Sequence, residues 1–152
     1  MKYYLLIPVA LLVVLMVNSC ASTSKATEDR SLEAKKFEKH PEKGIVYLYR
    51  PGRAVGAAVS TQIKINGIDA GGTGPGTFFR WELTPGIYAF SASSTESSAV
   101  VEVDVKANEH YFIRQDERIG LNSGRVTLVV QDENTGKSGV ENCRLLVSAF
   151  RQ

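Results

Sequence analysis

Thr77-Phe78-Phe79-Arg80-Trp81-Glu82-Leu83, then Thr84-Pro85-Gly86, then Ile87-Tyr88-Ala89-Phe90-Ser91, decides the fold class. Successive side chains of an extended chain alternate, so Phe79, Trp81 and Leu83 share one face and Phe78, Arg80 and Glu82 the other. Pro85 and Gly86 supply turn chemistry, and Ile87–Ser91 runs back as a second strand.

The same period of two extends outward. Ile45-Val46-Tyr47-Leu48-Tyr49 is apolar on both faces, which predicts a central strand ended by Pro51-Gly52. Arg53 to Ser60 is small and glycine-rich, a loop. Thr61–Ile65 turns Ile63 and Ile65 inward, and Asn66-Gly67 is the signal of a tight type I′ turn, which needs φ > 0 at both central residues. Ile68–Ala70 is a brief return, and Gly71–Gly76 reads as a loop. Downstream, Ala99, Val101, Val103 and Val105 face inward, with Glu102 and Asp104 outside. His110–Gln115 is a strand, Asp116–Gly124 a loop, and Arg125–Gln131 a strand with Val126, Leu128 and Val130 inward. Asp132–Gly139 reads as a polar hairpin or loop, Val140–Cys143 as a short helical turn, and Arg144–Phe150 as a last apolar segment. About seven or eight short strands without helical crossovers predict an all-β domain, an antiparallel β-sandwich over residues 44–152.

The N-terminus carries an address. Lys2 precedes an apolar run, Leu5 to Val17, that is shorter than the roughly 20 residues of a spanning helix. Val17-Asn18-Ser19-Cys20 then reads as a lipobox, so residues 1–19 are a signal peptide and the Cys20 sulfur is the lipid attachment point. Fatty acyl chains such as palmitate, two or three on one residue, bind a membrane far more firmly than one. Ala21, not aspartate, follows the cysteine, which points to the outer membrane, in the leaflet facing the periplasm. Residues 20–43 are polar: Ala21–Thr27 reads as a tether, and Ser31–His40 as a short helix with Ser31 as N-cap, Pro41 as stop and Phe37 against the domain.

The formal charge is only +2, with no basic stripe interleaved with aromatics, so nucleic acid is not a predicted partner. With Cys20 lipidated, Cys143 has no disulfide partner, and Leu145 and Leu146 beside it predict burial.

Four patterns recur in order: Gly44-Ile45-Val46-Tyr47-Leu48-Tyr49-Arg50-Pro51-Gly52-Arg53, Ile65-Asn66-Gly67, Phe79-Arg80-Trp81-Glu82-Leu83-Thr84-Pro85-Gly86 and Tyr111-Phe112-Ile113-Arg114-Gln115. Together, over Gly44 to Leu146, the chain resembles the bacterial lipoprotein family with the domain of unknown function 2846. That resemblance implies a small secreted lipoprotein and brings no chemistry. Ile65 to Phe90 is similar, more weakly, to PEGA-type surface modules, with Thr84-Pro85-Gly86-Ile87 at the turn.

Catalytic and metal signatures are sparse. His40 and His110 lack metal-ligand spacing, Cys143 has no histidine near it in sequence, and the serines lack a Gly-x-Ser-x-Gly elbow. The glycine loop lacks the lysine of a phosphate loop, and a calcium loop begun at Asp132 would need its glutamate where Cys143 stands. No cofactor, metal or enzymatic activity is therefore expected. Arg50, Arg53 and Arg114 form the one candidate anion site, for carboxylate or phosphate, provided that their strands are neighbours; the competing reading is ion pairs with Glu82, Asp116 or Glu117. The sequence thus predicts a membrane-anchored, non-enzymatic module for an envelope protein or peptidoglycan partner, with a small-anion or glycan binder, or an envelope enzyme at that arginine edge, as the alternative.

Overall fold

The computed structural model describes residues 23–52, 60–94, 97–119 and 124–152; Cys20 and Arg53 lie outside them. The elements run α1 (Glu28–Ala34), β1 (Gly44–Arg50), β2 (Thr61–Ile65), β3 (Ile68–Thr73), β4 (Thr77–Leu83), β5 (Gly86–Ser93), β6 (Ser98–Val105), β7 (His110–Ile119), β8 (Gly124–Gln131), α2 (Glu133–Glu141) and β9 (Arg144–Leu145). Two sheets face each other, one in the order β8-β7-β1-β4-β9 and one in the order β3-β2-β5-β6. The fold is an all-β sandwich with a helical layer on one outer face.

The chain passes back and forth between the sheets, and this explains two departures from a simple antiparallel meander. The Thr84–Gly86 turn carries the chain from one sheet to the other, so β4 and β5 do not pair as a hairpin. The second sheet also serves as the crossover between β1 and β7, which therefore pair in parallel, Tyr49 opposite Arg114. Asn66 and Gly67 adopt φ of 50° and 79°, the tight turn that joins β2 to β3.

β1 is buried along its whole length because both of its faces are covered. Val46 and Leu48 point between the sheets, where they meet Ile63, Phe79, Phe90 and Ile113. Ile45, Tyr47 and Tyr49 point the other way, into a second core closed by Ala34, Phe112, Val140 and Cys143. Tyr47 stacks on Phe112 with ring centroids 5.0 Å apart, worth roughly 0.5–1.5 kcal/mol beyond burial.

The helical layer corrects the reading of Asp132–Gly139 as a loop. Asp132 is the N-cap of α2 and accepts from the Thr135 amide at 3.0 Å. Gly136 and Gly139, which look like turn residues in sequence, lie on the helix face against the sheet: a Cβ at Gly136 would overlap the Phe112 ring, and one at Gly139 the Tyr49 ring. They are glycines so that the helix can press close.

The N-terminal segment is likewise docked, not a tether, from Thr23 onward. The Gly72 amide donates to Thr23 Oγ1 (2.6 Å), the Val147 amide to the Ser24 carbonyl (2.8 Å) and the Ala26 amide to the Leu145 carbonyl (2.8 Å). The first helix begins earlier than predicted, after Thr27, because Ser31 is not its cap: Ser31 is buried and its Oγ accepts from the Leu145 amide. Phe37 leaves the helix at φ 53° and packs against Tyr47, as expected.

Smaller differences follow from pairing. β3 continues through Gly71 and Gly72 to Thr73 because β2 supplies partners for them, and β7 runs on to Ile119 because β8 pairs with it. Val130, expected inward, is 47% exposed on β8, the outermost strand of its sheet. The last apolar segment contributes only two strand residues. No helix among the described residues is long and apolar enough to cross a membrane.

Candidate functional site

Arg50 and Arg114 sit on adjacent strands but point to opposite faces of the sheet. Arg114 shares its face with Tyr49, its register partner, and Arg50 is one residue further along, on the inner side. Arg50 is 2% exposed; its Nη1 donates to the Thr73 carbonyl at 3.2 Å and lies 3.8 Å from Glu117 Oε1. That oxygen also accepts from Thr61 Oγ1 and from Gln115 Nε2 (3.0 Å), while Thr73 Oγ1 donates to Gln115 Oε1 (2.7 Å). Burial pulls the Arg50 pKa down, and the Glu117 carboxylate opposes that. The cluster closes one end of the sandwich. Arg114, on the outer face, donates to Asp116 (3.0 Å), and that hydrogen bond raises its pKa. Arg53 lies outside the described residues; the two described members of the arginine set, Arg50 and Arg114, are turned apart and each faces a carboxylate.

Cys143 is buried, with its thiol near the Gly139 and Arg50 carbonyls (3.3 and 3.5 Å) and pushed up to about 11 by burial. His110 lies instead beside Glu133 and the Glu38 carbonyl, and His40 Nδ1 accepts from the Glu42 amide. No group of three metal-ligating side chains occurs among the described residues.

A groove lies along β4. β9 pairs with β4 only at Thr77 and Phe78, and the last backbone bond on that side runs from the Leu146 amide to the Phe78 carbonyl (2.8 Å). Backbone groups of a strand alternate sides, so residues of the same parity as Phe78, namely Arg80 and Glu82, aim their N–H and C=O groups past β9. Among the described residues no backbone bond meets them there. Two positions on, the Thr84 amide is capped by Gln152 Oε1 at 3.1 Å. The open stretch is thus bounded at both ends.

This edge forms the floor of a groove of about 570 Å³ between α1 and the C-terminal segment. Trp81 Nε1 donates to Ser148 Oγ (2.8 Å), which fixes one wall. Arg80 Nη1 donates to Glu82 Oε1 (2.9 Å) across the rim. Burial is the largest influence and opposes the charge on each of that pair, yet their hydrogen bond and mutual attraction, helped by Tyr47 at Arg80 and by His40 and Lys43 near Glu82, together outweigh it, with Arg80 held above and Glu82 below its ordinary pKa. Arg30, Lys43, Arg80 and Arg151 share the lining with Glu33, Glu38 and Glu82, so charges of both signs are present. Such a groove offers backbone donors and acceptors to an extended chain, and neighbouring charges of both signs to its side chains.

The alternation of residues 77–83 puts Arg80 and Glu82 outward, but nothing in the sequence marks the groove. Its walls come from residues some 50 positions before the edge and some 65 after it, and no local pattern joins them.

The family model described as a protein of unknown function, DUF2846, matches residues 40–138 of this chain. An uncharacterized protein of Haemophilus influenzae is 29% identical over 138 residues, which cover 90% of this chain and 81% of the relative.

Proposed function

The chain belongs to the DUF2846 family, and from that premise we propose that it is a lipid-anchored, non-enzymatic module of the cell envelope that binds an extended segment of a partner protein along the open edge of β4. The observation that carries this reading is the bounded gap in the β4 edge at Arg80 and Glu82, within a groove of about 570 Å³. Main-chain bonds to such an edge supply affinity, and pockets for alternate side chains supply choice of partner. The anchor rests on Val17-Asn18-Ser19-Cys20, and Ala21 favours the periplasmic leaflet of the outer membrane.

An anion or glycan site at the arginines has less support, because Arg50 and Arg114 open onto different faces. Catalysis has less again, since the buried Cys143 thiol lies among carbonyl oxygens.

The test is crosslinking in living cells. A photoreactive residue in place of Arg80 is expected to give one discrete adduct with an envelope protein, and the same residue in place of Ala89, on the outer face of the other sheet, none. Adducts at neither position, or the same adducts at both, would contradict the groove. Loss of membrane association on Cys20→Ala checks the anchor independently.

A further inference from the structure

We infer that the β3 edge of the sandwich lies directly against the membrane surface, with no spacer between bilayer and domain. The inference rests on the lipid-anchor reading of Cys20 and adds to it the side of the domain that meets the lipid.

The length of the connection carries the argument. The chain is fixed to the domain from Thr23, whose Oγ1 accepts from the Gly72 amide of β3 and whose methyl group lies beside Gly71. Ser24 and Ala26 are bonded to Val147 and Leu145 immediately afterwards. Only Ala21 and Ser22 separate Thr23 from Cys20. Three residue steps reach at most about 11 Å even when fully extended. A lipid on Cys20 therefore draws the surface around Thr23 to within that distance of the headgroups.

The surface so placed is an outer edge of the four-stranded sheet, where β2 is the strand partner of β3 and where Thr23 and the C-terminal segment, through the Ala149 amide on the Ala70 carbonyl, run along its other side. Around it stand Lys25, Lys64 and Ile68, all exposed, with Ile68 at 57% at the start of β3. Asp69 adds one carboxylate on β3, opposite Lys64 and bonded by Gln62 Nε2; the two ammonium groups outnumber it and, with the aliphatic side chain, suit an anionic, partly apolar interface. Glu102 lies on β6 at the opposite edge of this sheet, three strand spacings or about 14 Å away.

The experiment uses the full lipidated protein in vesicles of phosphatidylethanolamine and phosphatidylglycerol, some of the lipid bearing headgroup-chelated nickel. Gln62→Cys, near Thr23, and Glu102→Cys each take a nitroxide; Cys143 is buried and the Cys20 sulfur is already substituted. The collision rate with nickel is expected to be several-fold higher at position 62 than at 102. Six glycine and serine residues inserted between Ser22 and Thr23 are expected to abolish the difference. Equal rates at the two positions in vesicle-bound protein would overturn the inference while leaving the anchor intact, as would a difference unaffected by the insertion. Protein that neither floats with vesicles nor carries lipid mass would overturn the anchor reading, and this inference with it.

Discussion

Removing the Arg50 guanidinium would leave the Glu117 carboxylate enclosed between the sheets with Thr61 and Gln115 as its remaining donors. Uncompensated buried charge is costly, so Arg50→Ala is expected to lower stability by about 3–5 kcal/mol. Adding Glu117→Gln should recover part of that loss, because the neutral amide needs no counter-charge; denaturant unfolding followed by Trp81 fluorescence measures both. Cys143 makes a second residue-scale prediction. Its thiol is raised by burial from an ordinary 9.0 to about 11. The folded state then holds its proton more tightly than the unfolded chain, so this contribution is complete below about pH 9 and is lost as pH rises towards 11. Unfolding free energies between pH 8 and 11 should fall by roughly 2–3 kcal/mol more in wild type than in Cys143→Val. Equal slopes in the two proteins would contradict it.

At the scale of the element, α2 shows how local and tertiary signals compete. Alanine is a better helix former than glycine by roughly 1 kcal/mol, yet Gly136→Ala should destabilise by about 1–3 kcal/mol, because its methyl group meets the Phe112 ring. A raised unfolding midpoint in that variant would refute the close packing of helix on sheet. The same competition explains what was legible in the sequence. Strands with one buried face were readable from alternation, and β1 was recognisable as central because all of its side chains have something to pack against. The Asn66-Gly67 turn was readable because its backbone demands those residues. α2 was not, because Gly136 and Gly139 serve the sheet beneath them and mimic a loop. The docking of Thr23–Thr27 was equally silent: its bonds are made by backbone and small hydroxyls to the C-terminal segment and to β3, and polar composition alone reads as tether. For the candidate site, the outward alternation of Arg80 and Glu82 was visible, but the absence of a neighbour beyond them depends on β9 stopping at Leu145.

At the scale of the whole molecule, the groove and the edge proposed to face the membrane are neighbours. Val147 contributes to the groove on one side and, on the other, to the recess that holds Thr23. A sandwich held flush to the bilayer would present the β4 edge close to the surface, within reach of segments that partner proteins extend along the membrane. The charges of the groove imply salt-sensitive rim contacts, whereas the main-chain bonds of an added strand are largely indifferent to salt. Partner binding through the groove is therefore expected to persist, with weakened affinity, when ionic strength is raised in a binding titration.

Glu82→Pro tests the central claim most directly. It deletes an amide that points into the groove and is not used in the ladder with β1, so the fold should tolerate it as edge strands tolerate proline. The measurement is recovery of partners from detergent-solubilised envelopes by wild type, Cys20→Ala and Glu82→Pro. The account predicts the same partner with wild type and Cys20→Ala, and its loss with a folded Glu82→Pro. Recovery by folded Glu82→Pro at the wild-type level would contradict recognition along the β4 edge.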